Sequence, residues 1–279
     1  MTGLQMSENP DSEPLLITRN GPVMTVTLNK PRVMNALDLD MWRGLSDAVS
    51  TAAADPEVRV FVLTGAGSAF STGADLGATR NTHPIHRMKV VSTAAADLHD
   101  LPKPTIARVP GPAVGGGWNL ALCCDFVIAS TNATFAQIFP KRGLSIDVGG
   151  SWHLPRLVGM QRAKLLTMLG DTISAAEAYE FGLVTSVVAP EELDSAVLAL
   201  ASRLALGPPV ALALTKALLH EGTTHTLREM LESEARAQTV NFAGHDVAIG
   251  FDAFRKREPP EFTGGWTTRL SVASIEAKE

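Results

Sequence analysis

The chain has 279 residues, 45% of them hydrophobic and 19% charged, with a formal net charge of −5 and a pI near 5.8. That is enough apolar chain to bury a large core, as one domain with an appendage or as two unequal domains. The lysines and arginines are dispersed, which argues against nucleic acid as a partner, and no apolar run reaches bilayer-spanning length, which argues against a membrane.

Residues 1–12 are polar, carry no basic segment followed by an apolar one, and read as a loose tail; export is therefore not expected. Val23 to Leu28 is rich in β-branched residues between turn formers and reads as a strand. A helix starting at Asp38 or Asn35 follows, with Leu39, Trp42, Leu45 and Val49 at helical spacing. Val58 to Thr64 is a second strand, residues 83–100 a helix stopped by Pro102 and Pro104, Thr105 to Val109 a third strand and Phe126 to Ser130 a fourth. A long loop is expected from Asn132 to Gly150. Beyond Gln161 come helices at Ala163 to Leu169, Ser174 to Phe181 with Ser174 and Glu177 spaced as a capping box, and Glu191 to Leu206, interrupted by a short strand at Val184 to Val188. Gly207-Pro208-Pro209 marks a boundary before amphipathic helices in residues 210–256. Strands alternating with helices predict an α/β fold with parallel pairing.

The stretch Gly111 to Asp125 carries Gly115-Gly116-Gly117 into an apolar helical segment. Without a Cβ, such a backbone can bring its N–H groups against a ligand, and the first N–H groups of a helix have no internal partner. This suits negative charge: a phosphate, or the oxyanion that forms when a thioester carbonyl becomes an enolate. No Gly-Lys-Ser/Thr ends the stretch, and no G-x-G-x-x-G follows the first strand, so nucleotide loops are discounted. Cys123 and Cys124 are adjacent in an apolar run and read as buried thiols in a reducing cytoplasm. His83-x-x-His86 lacks a third ligand, so no metal is expected, and His153 reads as a packed helical histidine.

Four segments taken together, Leu28 to Leu37, Ala69 to Leu76, Gly111 to Asp125 and Gly143 to Gly159, resemble in order and spacing the crotonase superfamily, or enoyl-CoA hydratase/isomerase family, over roughly residues 14–262. The resemblance implies a ClpP-like spiral of ββα units over residues 13–206 and a helical trimerisation region over 207–265, with a further tail at 266–279. It implies homotrimers or dimers of trimers and an acyl-CoA thioester substrate, with coenzyme A entering as part of the substrate and no prosthetic group. The family's two oxyanion-holding N–H groups map to Ala74 and Gly116. Its CoA contacts map to Arg32, Val33, Ala36, Thr72, Asp75 and Leu76. Lys256 and Arg257 resemble its basic C-terminal segment, while Thr263 stands in place of a family lysine.

The family's hydratases use two glutamates to activate water, and these positions map to Asn119 and Phe139. Neither side chain can act as a general base, so double-bond isomerisation is expected ahead of hydration. Asp147 matches the aspartate of the family's isomerases and some dehalogenases, and its rival role is to cap the helix that starts after it. Gly115, Trp118, Asn119 and Phe139 are expected around the acyl pocket. Hydration by another arrangement, hydrolysis or dehalogenation through Asp147, and thioester binding with little catalysis stay open as alternatives.

Overall fold

The computed structural model describes residues 13–75, 77 and 83–266. The chain divides after Leu204 into two units. The first unit opens with β1 (Leu15–Asn20) and β2 (Val23–Leu28), an antiparallel hairpin turning at Gly21 with φ of 56°. The sequence reading misses β1, because its outer half is exposed and shows no apolar alternation. Helix α1 (Leu39–Ala54) is capped by Asp38, whose carboxylate accepts the Met41 N–H at 3.0 Å, and buries Met41, Trp42, Leu45, Ala48, Val49 and Ala52.

Next come β3 (Val60–Gly65), buried throughout, and α2 (Pro84–Asp100). The first histidine of the His83-x-x-His86 pair accepts the Ile85 N–H on Nδ1 at 3.3 Å and so caps α2. They are followed by β4 (Thr105–Val109), β5 (Ala113–Val114), α3 (Gly116–Leu122), β6 (Phe126–Ser130) and β7 (Thr134–Ala136). The unit closes with α4 (Gly150–Leu169), β8 (Thr172–Ser174), α5 (Ala175–Glu180), β9 (Ser186–Val188) and α6 (Leu193–Ala205).

Six strands form one sheet in the order β1-β2-β3-β4-β6-β9, parallel from β2 onward, and β5-β7-β8 form a smaller sheet. The chain leaves the large sheet at the end of β4 for β5, returns for β6, and leaves again for β7. This to-and-fro is the spiral that the resemblance implies. Two expectations need correction. The loop from Asn132 to Gly150 contains β7 and a 3-10 turn at Phe139–Arg142, and the helix placed at Ala163 starts at Gly150. β7 is too short to show alternation, and although the capping alternative for Asp147 points to a helix start there, Pro155 and Gly159 interrupt the helical pattern of α4, which kinks at Gly159 with φ of 74°.

The second unit holds α7 (Pro209–Glu221), α8 (Leu227–Ala243) and α9 (Asp246–Lys256). Thr226 and Glu229 form a capping box at the start of α8. Trp266, assigned to the C-terminal tail by the sequence reading, pairs with Gly244 in a β-bridge. Among the described residues no single helix is long and apolar enough to cross a membrane.

Candidate active site

The loop leaving β2 and the loop leaving β3 are bound to each other along a short seam. Asn35, fully buried and with φ of 55°, donates from Nδ2 to the Ala66 carbonyl at 2.9 Å and the Ala69 carbonyl at 2.8 Å, and its Oδ1 accepts the Lys30 N–H at 3.0 Å. Leu37 N–H donates to the Gly73 carbonyl at 2.7 Å, and Asp75 N–H to the Leu37 carbonyl at 2.9 Å. Successive peptide groups of an extended chain face opposite ways, so the N–H of the intervening residue, Ala74, points away from the seam.

On the other side of Gly73 lies the start of α3. A Cβ on Gly73, whose φ is 82°, would stand 2.9 Å from the Val114 carbonyl and 3.2 Å from the Gly116 nitrogen. A Cβ on Gly117 would stand 2.4 Å from the Ser71 carbonyl. Gly115 caps α3 at φ of 54° and donates its N–H to the Ala136 carbonyl at 2.8 Å, leaving Gly116 as the first helical residue. Among the described residues, neither the Ala74 N–H nor the Gly116 N–H donates to a protein acceptor. Glycines thus bring two open amide donors to one wall.

Asp147 faces the same place. A Cβ on Gly116 would lie 3.5 Å from Asp147 Oδ1, an atom that is buried and makes no hydrogen bond. Burial pushes this carboxyl up from the ordinary 3.8 to about 6, against a weaker pull from its own backbone N–H. The helix-capping alternative is not what the side chain does: α4 is capped by Gly149, and Asp147 offers its carbonyl, not its carboxylate, to the Gly150 N–H at 3.0 Å. Val148, the next residue, has φ of 49°. A β-branched residue there stores on the order of 1–3 kcal/mol of strain, a feature that clusters at functional sites.

These groups border a cavity of about 780 Å³ whose apolar wall includes Leu37, Trp42, Met88, Val91, Ile138 and Phe139. Gly115, Gly116, Ala74, Thr72 and Asp147 also line it. The glycine-rich helix start, the seam and the buried aspartate are the segments in which a family resemblance was read. Comparison with known proteins decides the matter: the enoyl-CoA hydratase/isomerase family model matches residues 18–265.

The chain belongs to the enoyl-CoA hydratase/isomerase family. It is 37% identical over 250 residues to the 1,2-epoxyphenylacetyl-CoA isomerase of Escherichia coli, covering 87% of this chain and 95% of that one. With the crotonyl-CoA hydratase of Syntrophomonas wolfei it shares 35% identity over 254 residues, covering 90% and 98%. The crystal structure of an enoyl-CoA hydratase from Bacillus anthracis superposes with a TM-score of 0.87 at 32% identity, over 90% of this chain and all of that one. The crotonase fold follows from these matches.

The family's other mapped positions are distributed unevenly. Thr72 lies on the seam, its N–H donating to the Met34 carbonyl at 3.1 Å, and lines the cavity. Arg32, Val33, Ala36 and Asp75 belong to the two seam segments outside the cavity lining, with Arg32 and Val33 exposed. Leu76 lies outside the described residues. In the second unit, Arg257 ends α9, and Thr263 and Gly264 donate their N–H groups to Asp246.

Two of the four expected pocket residues are elsewhere. Trp118 is 1% exposed and packs on Phe135 with ring centroids 5.4 Å apart, behind the wall and not on it. Asn119 is fully buried: its Nδ2 donates to the Asp147 carbonyl at 2.9 Å and its Oδ1 accepts from Gln137 Nε2 at 2.8 Å. Side chains on the first turn of α3 point into the core, so only the glycine backbone reaches the cavity. His153 is buried against the rings of His99 and Trp152, at 5.1 and 4.9 Å. The reading missed Trp42, Met88 and Val91 as pocket residues, although their helical spacing on α1 and α2 marked them as facing inward.

Proposed function

We propose that this acyl-CoA enzyme moves the double bond of an enoyl-CoA, with Asp147 as the base. One observation carries the reading. Of the two carboxylates that line the cavity, Asp38 is committed to Lys30 and to the cap of α1, while Asp147 is held by no other group and has its affinity for a proton raised.

The thioester oxygen of a 3-enoyl-CoA accepts hydrogen bonds from the Ala74 and Gly116 N–H groups. Negative charge grows on that oxygen as Asp147 removes a proton from C2, so the two donors favour the dienolate over the ground state. The proton on Asp147 returns to C4, the double bond shifts from C3–C4 to C2–C3, and the carboxylate is regenerated without water. A group with a proton affinity near neutrality is suited to both halves of this exchange. The coenzyme A portion lies along Arg32, Val33, Ala36, Thr72, Asp75 and Leu76, and the subunits associate as trimers or dimers of trimers through the C-terminal helices.

Hydration is the second reading, since relatives at 35% identity bear hydratase names. It requires a pair of groups to hold and deprotonate water, and neither Asn119 nor Phe139 supplies one. Wild type and Asp147→Asn are assayed on 3-enoyl-CoA and 2-enoyl-CoA, following double-bond migration and water addition separately. Migration by wild type and its loss by about 10²–10⁴-fold in the variant is expected. Efficient hydration with little migration would replace the proposal by the second reading.

A further inference from the structure

We propose that Asn119 is a positioning residue for Asp147: braced by Gln137, it clamps the Asp147–Val148 peptide to α3, the helix whose first N–H belongs to Gly116. The inference rests on the reading of Asp147 as the base and adds what holds that base in place.

The Asp147 carbonyl can only accept a hydrogen bond, so the Asn119 amide nitrogen must face it, which leaves Asn119 Oδ1 for Gln137 Nε2. The polarity of the chain Gln137–Asn119–Asp147 is therefore fixed. One helical turn after Asn119, Cys123 Sγ lies 3.8 Å from the Val148 carbonyl and donates to it. Residues four apart share a helix face, so both carbonyls of the Asp147–Val148 segment are gripped from the same side of α3. Gly150 closes the arrangement, since a Cβ there would fall 2.4 to 2.5 Å from the Asn119 amide atoms.

The clamp has something to resist. Val148 is held in the left-handed region, at φ of 49°, and Asp147 Oδ1 is kept buried without a hydrogen bond. Relaxation of this segment would carry the carboxyl group away from Gly116 and towards water. Asn119 and Gln137 are both fully buried and neither lines the cavity, so their effect on the reaction passes through Asp147 and not through substrate contact. Donor and base are set by one rigid element.

The test compares wild type, Asn119→Leu, Gln137→Met and Asp147→Asn in 3-enoyl-CoA isomerisation, with kcat, KM and the pH profile of kcat recorded for each and folding checked by circular dichroism and thermal melting. Asn119→Leu keeps the side-chain bulk but not the donor. We expect kcat to fall about 10- to 100-fold with KM changed less than about twofold, and the acid limb of the profile to move down towards the ordinary carboxylate range as Asp147 meets water. Gln137→Met, which removes only the brace, shifts both in the same direction by less, and it decides the question if Asn119→Leu does not fold. Unchanged kcat and an unmoved acid limb in the folded variants, with Asp147→Asn inactive, would overturn the clamp and leave the base reading intact. Full activity in Asp147→Asn would overturn both, and so is told apart from failure of the clamp alone.

Discussion

Asp38 and Asp147 line the same cavity, yet their carboxyl groups are driven in opposite directions. Burial raises the proton affinity of Asp38, but hydrogen bonds from Lys30 and the Met41 N–H outweigh it and hold the group below its ordinary value. Asp147 has burial without such partners and rises to about 6. Two environments thus give two carboxylates on one cavity opposite shifts in proton affinity. On the proposal that Asp147 is the base and acts ionised, kcat/KM for isomerisation should rise with pH through about 6 and level off above 7, and this limb should vanish in Asp147→Asn.

The same shift has a thermodynamic consequence. A carboxyl group whose folded value lies above its unfolded one favours the fold while protonated, and that contribution is lost as pH rises from about 4 through about 6. Denaturant melts should show wild type losing roughly 2 kcal/mol relative to Asp147→Asn between pH 4 and pH 8, allowing for partial solvent screening. A constant difference across that range would mean that the carboxyl is not desolvated. At this scale the sequence marks Asp147 as the remaining carboxylate candidate but leaves its capping role open, because burial and the direction of a side chain are not properties of a local motif.

At the scale of elements, the cavity wall depends on glycine where three segments converge. Gly73 stands between the seam and α3 with a positive φ of 82° and less room than a Cβ needs. Gly73→Ala should push the Ala74 loop away from Gly116, lowering kcat by about 100-fold, as expected for loss of one oxyanion donor. Thermal melting should register a further 1–3 kcal/mol or so of backbone strain. A variant with wild-type kcat would show that Ala74 is not a donor to the reacting oxygen. The glycines were visible in the sequence, although a run of three is equally compatible with plain tight packing at a helix entry. What the local pattern did not carry was the inward turn of Trp118 and Asn119: a seven-residue helix buried on every side has no polar face from which orientation can be read.

At the scale of the whole molecule, the two units differ in how they dispose of apolar surface. The first has a continuous buried core running from β2 through α5. In the second, Ala237 and Ala253 are the buried residues found in the described parts of its helices, while Phe242, Phe251 and Phe254 are 59 to 82% exposed. Burying each of these phenylalanines on association is worth about 1.5–3 kcal/mol, which favours assembly through these helices. Sedimentation equilibrium should give a mass of three or six chains for wild type, and Phe254→Asp should shift it towards smaller species. A single-chain mass at micromolar concentration would remove the trimer proposal.

The sequence by itself determined the family and the alternation of strand and helix in the first unit, and it marked the glycine run Gly115 to Gly117 and Asp147 as candidates. Each depends on residue type and spacing along the chain, within one segment for the glycines and across four segments for the family, and needs no knowledge of which segments touch. Only the tertiary structure decided that β1, β7 and β8 exist, that Asp147 points at Gly116 with Oδ1 unpartnered, and that Asn119 sits behind the wall holding the Asp147 carbonyl. Apart from the β1–β2 hairpin, those outcomes rest on contacts between residues far apart in the chain: Asn119 is separated from Asp147 by the whole of β6 and β7, and β7 and β8 are specified by the partners they meet, not by their own three residues.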